Sequence, residues 1–83
     1  MRILLIEDDR VIGSAIRDQV DSEGHSVDWV QRLDAAGDAL AGAHFDLILL
    51  DLQMPVMSGL EATRAIRKEL PEVQVIGLSM DAN

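Results

Sequence analysis

Phe45-Asp46-Leu47-Ile48-Leu49-Leu50-Asp51 is the stretch on which the fold turns. Four consecutive aliphatic side chains leave no polar face, so a strand made from Phe45 to Leu50 must be covered on both sides, as strands of a parallel sheet are. The run ends abruptly in the carboxylate of Asp51. From there to Gly59 the chain, carrying Pro55 and Gly59, reads as a loop. A helix opening at Ser58 or Gly59 carries Leu60, Ala62, Ile66 and Leu70 at helical spacing, Pro71 ends it, and Val73 to Leu78 reads as a further strand.

Working back toward the N-terminus, Arg2 to Ile6 is another short apolar run, predicted as a central strand. Asp9 is placed to cap a helix in which Val11, Ile12, Ala15, Ile16 and Val20 form one apolar stripe, and Gly24 is a natural stop. His25 to Val30 reads as a strand with Val27 and Trp29 on one face. Arg32 to Ala41 reads as a short helix presenting Leu33, Ala36 and Leu40 and weakened by Gly37. Strand and helix thus alternate three times before a last strand. Such alternation with short connections predicts an α/β fold, a parallel sheet with flanking helices and right-handed crossovers. No repeat or linker divides residues 1–83, so a single domain is expected.

With 48% hydrophobic but only 2% aromatic residues, the core of this 83-residue chain must be aliphatic. Fifteen acidic against seven basic residues give a net charge of −8, which argues against binding to a nucleic-acid backbone. The absence of cysteine excludes disulfides and thiolate metal sites. The run Ile3 to Ile6 is broken by Glu7, Asp8 and Asp9, too soon for a signal peptide or membrane span, so a soluble, cytoplasmic protein is expected.

In an open parallel sheet, ligands sit beyond the carboxyl ends of the strands. There the first strand ends in Glu7-Asp8-Asp9, the third in Asp51 and the fourth in Ser79. If the first and third strands are neighbours, their carboxylates converge and require a counterion. Oxygen ligands without His or Cys suit a hard cation, and Mg²⁺ is the expected metal because it takes one or two carboxylates, keeps waters and meets phosphate oxygens. Such a cation would let Asp51 attack phosphorus by neutralising groups that otherwise repel each other. A lone carboxylate at a strand end is as readily a cap or a solvated group, and for Asp9 the cap is favoured; the combination is what points to chemistry.

Ile3-Leu-Leu-Ile-Glu-Asp-Asp9, Phe45-Asp-Leu-Ile-Leu-Leu-Asp-Leu-Gln-Met-Pro-Val-Met-Ser-Gly59 and Val75-Ile-Gly-Leu-Ser79 resemble the receiver domains of two-component response regulators. The resemblance covers essentially the whole chain. It implies a flavodoxin-like receiver fold with strand order 2-1-3-4, an order carried over from the family rather than read from periodicity. It further implies that Asp51 accepts a phosphoryl group from a histidine kinase. Asp8, Asp51 and the backbone carbonyl of Gln53 would hold Mg²⁺, with Glu7 acting through water. Pro55 and Gly59 would shape the following loop, and the Ser79 hydroxyl would swing toward the phosphate to transmit the change.

The family continues with a helix, a fifth strand ending in an essential lysine, and a closing helix. These do not occur in the sequence, and Lys68, its only lysine, falls in the third helix. The expectation is therefore an incomplete receiver, in which an open fourth-strand edge carrying Val73, Val75 and Ile76, and an under-covered first helix, promote a homodimer. The accent also changes along the chain. The first half resembles receivers joined to winged-helix domains, whereas Met54 to Met80 resembles those joined to helix-turn-helix domains, through natural divergence or recombination. A second reading is a truncated or engineered fragment that serves only as a dimerisation or interaction module. A third, a phosphatase of the haloacid-dehalogenase type, needs a second Asp two positions after the nucleophile, where Gln53 stands. His25 and His44 fall at the wrong end of the sheet, Trp29 reads as core, Met54 and Met57 as loop filler, and Arg64, Arg67 and Lys68 as a solvated helix face.

Overall fold

The computed structural model describes residues 1–51, 64, 66, 68 and 73–78. These residues form β1 (Arg2–Ile6), α1 (Arg10–Ser22), β2 (Ser26–Val30), α2 (Leu33–Gly42), β3 (Leu47–Asp51) and β4 (Gln74–Leu78). The four strands make one parallel sheet in the order β2-β1-β3-β4, as the resemblance implied. Arg64, Ile66 and Lys68 are helical, within the predicted third helix, whose other residues lie outside the described ones.

Side chains alternate across a strand, so β1 and β3 divide their apolar residues between two layers. Leu4, Ile6, Ile48, Leu50 and Val75 join Ala36 and Phe45 on the α2 side, with Leu33 and Leu40 against them. Ile3, Leu5, Leu47 and Leu49 form the other layer, covered by Ile16 and Val20 of α1 and by Val27 and Trp29 of β2. Leu4, Leu5, Ile6, Ile48 and Leu50 are fully buried, each contributing about 1.5–3 kcal/mol relative to exposure.

Helix α1 is secured at both ends. The Asp9 carboxylate accepts from the Val11 and Ile12 N–H groups at 2.8 and 3.1 Å. At the other end Gly24 adopts φ +89°, and the His25 N–H donates to Val20 O at 3.4 Å, closing the last turn. Helix α2 is held less firmly, because Arg32 at its N-cap makes no side-chain capping bond.

Some expected boundaries and faces move. The strand expected from Phe45 begins at Leu47, because Asp46 turns back to β1: its N–H donates to Arg2 O and its carboxylate accepts from the Arg2 N–H, both at 2.8 Å. Phe45 is nevertheless buried, beneath the Arg2 guanidinium at 5.0 Å. Asp51, expected to open the loop, is the last rung of β3 and pairs with Leu78. The α1 stripe is also rotated from the expected one. Val11 is 80% exposed and Ala15 is exposed, while Gly13 is buried and Ile12, Ile16 and Val20 are half-buried. The cause is Trp29, whose ring fills the space against the Gly13 backbone and draws that side of the helix inward.

Candidate functional site

The register builds the site. Ile6 pairs with Leu50, so one step further along β1 and β3 stand Glu7 and Asp51, level with each other at the carboxyl edge of the sheet. By alternation both share the face of Leu5 and Leu49, the α1 side. Asp8 follows as the chain leaves the sheet. One carboxylate oxygen from each of Glu7, Asp8 and Asp51 lies within 4.8 Å of the others. Of the sequence-predicted carboxylates, Glu7, Asp8 and Asp51 therefore converge, whereas Asp9 is engaged as the α1 cap.

Glu7 and Asp51 are 1% and 5% exposed, while Asp8 faces solvent. Glu7 Oε1 accepts from the Asp9 N–H at 3.1 Å. Its Oε2 is buried without a hydrogen-bond partner among the described residues, and the carboxyl as a whole interacts with that of Asp51. Burial pushes the Glu7 carboxyl up from 4.5 to about 7; the Asp9 N–H opposes this, and the negative charges of Asp51 and Asp8 add to it. Two carboxylates in contact are held together by a shared proton or by a cation. An all-oxygen set with one orphaned buried oxygen fits a hard divalent cation such as Mg²⁺.

Sequence reasoning missed the wall of this pocket. The Trp29 indole N–H donates to the Glu7 backbone carbonyl at 2.9 Å, and the Arg17 guanidinium lies over the ring at 5.4 Å. A glycine inside an apolar helical stripe was the available signal, since it marks a place where something bulky can come close. His25 and His44 are at the opposite edge, His25 Nδ1 lying 3.1 Å from the Met1 amino group. Arg64 and Lys68 are exposed as expected. Ser79, Gln53, Pro55, Gly59, Met54, Met57 and Arg67 lie outside the described residues. No helix among the described residues is long and apolar enough to cross a membrane.

Residues 3–83 match the family described as the response regulator receiver domain. The response regulator protein PmrA of Pseudomonas aeruginosa is 45% identical over 69 residues, 83% of this chain and 31% of that protein. The chain thus spans about a third of the length of that relative. Among solved structures, the response regulator TrrA of Thermotoga maritima in complex with Mg²⁺ and BeF superimposes with a TM-score of 0.90 at 30% identity, covering 98% of this chain and 70% of that one. The complex of TrrA with the histidine kinase ThkA matches with a TM-score of 0.89 at 29% identity, over 99% of this chain and 71% of that one.

Proposed function

The chain belongs to the response regulator receiver domain family, and from that footing we propose that it accepts a phosphoryl group on Asp51 from a histidine kinase. The observation that carries the proposal is the meeting of Glu7, Asp8 and Asp51 within 4.8 Å, with a buried Glu7 oxygen left without a donor. Repulsion of this kind is tolerated where a cation is to be held. Asp8, Asp51 and the Gln53 carbonyl would hold Mg²⁺, with Glu7 acting through water. When bound, the ion supplies positive charge that offsets the carboxylates and the incoming phosphoryl oxygens.

Asp51 stands at the end of β3, paired with Leu78 of β4, which would hold its carboxylate in place for in-line attack. Its oxygen forms a bond to phosphorus as the phosphorus–nitrogen bond of the donor imidazole breaks, and the departing imidazole takes up a proton. The Ser79 hydroxyl would then turn toward the new phosphoryl oxygens and pass the change onward. On this reading the chain acts as a switch rather than as an enzyme with a separate substrate, its own chemistry being at most self-phosphorylation from a phosphodonor and autodephosphorylation.

Supporting a second role, β4 is the sheet edge among the described residues, and Ile76 on it is 43% exposed. Edge pairing through β4 in a homodimer would cover it. A strictly monomeric state in light scattering would refute this part. The reading places the protein in the cytoplasm, with no direct contact to nucleic acid, in keeping with its net charge of −8.

The test of phosphotransfer is intact-mass spectrometry after incubation with acetyl phosphate, with and without Mg²⁺, beside Asp51→Asn. A magnesium-dependent phosphoryl adduct lost in the variant is expected. No adduct on a folded sample would leave the interaction role alone standing.

A further inference from the structure

We propose that Trp29 is a positioning residue for the acidic pocket, its indole N–H fixing the turn that carries Glu7 and Asp8, and that its emission therefore reports cation binding there. The inference rests on the reading of the pocket as a Mg²⁺ site and adds a residue outside the carboxylate set.

A parallel ladder joins β1 and β2. The Ser26 N–H donates to Met1 O at one end, and the Glu7 N–H donates to Val30 O at 3.1 Å at the other. Following this alternation, the next rung would send the Arg32 N–H to the Glu7 carbonyl. That rung is not made by the backbone, because β2 ends at Val30 and Arg32 has turned away to become the N-cap of α2. The Trp29 indole N–H takes the vacant place at 2.9 Å. Both main-chain groups of Glu7 are thus tied to β2, one by backbone and one by a side chain.

The indole is itself held. A Cβ built on Gly13 would run into Trp29 Cζ2, so the helix backbone seats one side of the ring. Arg17 lies over it at 5.4 Å, and Trp29 packs into the α1-side layer of the core. A ring so confined transmits the position of α1 and β2 to the peptide that joins Glu7 to Asp8. Those two residues supply two of the three converging carboxylates. The bond therefore narrows the range of geometries from which the pocket must assemble around an ion.

Trp29 is the only tryptophan, and the chain has no tyrosine, so ultraviolet emission above the phenylalanine background comes from this ring. The experiment combines calorimetric titration of the full chain with Mg²⁺ and parallel indole emission. The wild-type emission is expected to change saturably, with the same midpoint as the heat. Trp29→Phe keeps an apolar ring and loses the donor, and its Mg²⁺ affinity is expected to fall about 3- to 10-fold, the effect of one hydrogen bond. Arg17→Ala, which uncovers the ring and leaves the N–H in place, is expected to stay within about twofold of wild type, which separates positioning from packing. Mg²⁺ binding with silent indole emission would overturn the inference while leaving the proposed function intact, whether or not Trp29→Phe folds. So would wild-type affinity in folded Trp29→Phe. Absence of Mg²⁺ heat in the wild type would overturn both.

Discussion

Replacing Glu7 by glutamine should stabilise the metal-free protein at alkaline pH, although it alters a fully buried residue in the centre of the candidate site. The Glu7 carboxyl is raised from 4.5 to about 7, first by burial and then by Asp51 and Asp8. Such a displacement corresponds to about 3 kcal/mol of differential interaction between the two protonation states. The sign follows from proton counting. Between these two values the folded chain holds a proton that the unfolded chain has released, so stability falls as pH rises through the window and stays low above about 7. Glutamine occupies nearly the same volume; its carbonyl still accepts from the Asp9 N–H, and its amide can donate to Asp51. In EDTA at about pH 8, Glu7→Gln should exceed wild type by on the order of 3 kcal/mol, and at about pH 5 the gap should shrink to about 1 kcal/mol. Urea unfolding followed by far-ultraviolet circular dichroism measures both, with the midpoints at high pH separated by roughly 1–3 M. General repulsion from a net charge of −8 also weakens the wild type at high pH, but it acts almost equally on the variant, so the difference isolates Glu7. Equal stability at pH ~8, or a gap that does not close toward pH ~5, would refute the reasoning.

Gly13→Ala, which in an exposed helix would add about 1 kcal/mol, should instead destabilise by about 1–3 kcal/mol, since the new methyl meets the Trp29 ring; thermal unfolding decides the sign. Asp9→Ala should cost about 1 kcal/mol by removing the carboxylate that accepts from Val11 and Ile12, and amide exchange should rise in the first turn of α1. Leu50→Ala, at a fully buried position, should cost about 2–5 kcal/mol, whereas Val11→Ser, at the exposed end of α1, should stay within about 0.5 kcal/mol of wild type in denaturant titration.

The sheet was legible because its code is short-range. Leu47 to Leu50 cannot offer a polar face in any register, and all four are buried. Asp9 as a cap was legible for the same reason, since the residue and its two donors lie within one turn. The placement of Glu7 beside Asp51 needed more. Strand ends can be read from the sequence, but adjacency of β1 and β3 came through a family likeness, as hydrophobic periodicity is indifferent to which strands are neighbours. The α1 face shows where short-range reading fails. Apolar residues at helical spacing define a stripe about as wide as the helix, and its centre is set by the sheet beneath. Here Trp29 occupies the place that Gly13 leaves open, so Gly13 faces inward and Val11 outward. Gly13 in the stripe signals only that something bulky comes close; the bond from Trp29 to Glu7 was not legible, because it depends on β2 ending one rung before β1 needs its last donor.

The same charge conflict links the site's function to its stability. Burying an ionised Glu7, beside the further negative charges of Asp51 and Asp8, costs the empty fold free energy, and the cost is offset either by a proton on Glu7 or by a cation among the three carboxylates. A bound divalent ion would therefore stabilise folding by mass action, its affinity already containing the relief of the Glu7 charge. That relief should be bounded by the cost it removes, about 3 kcal/mol, and should fade as pH falls below about 7, where a proton already neutralises Glu7. On the proposed function, a phosphoryl group would add negative charge to this balance at the carboxyl edge of β1 and β3, where the register sets Glu7 beside Asp51.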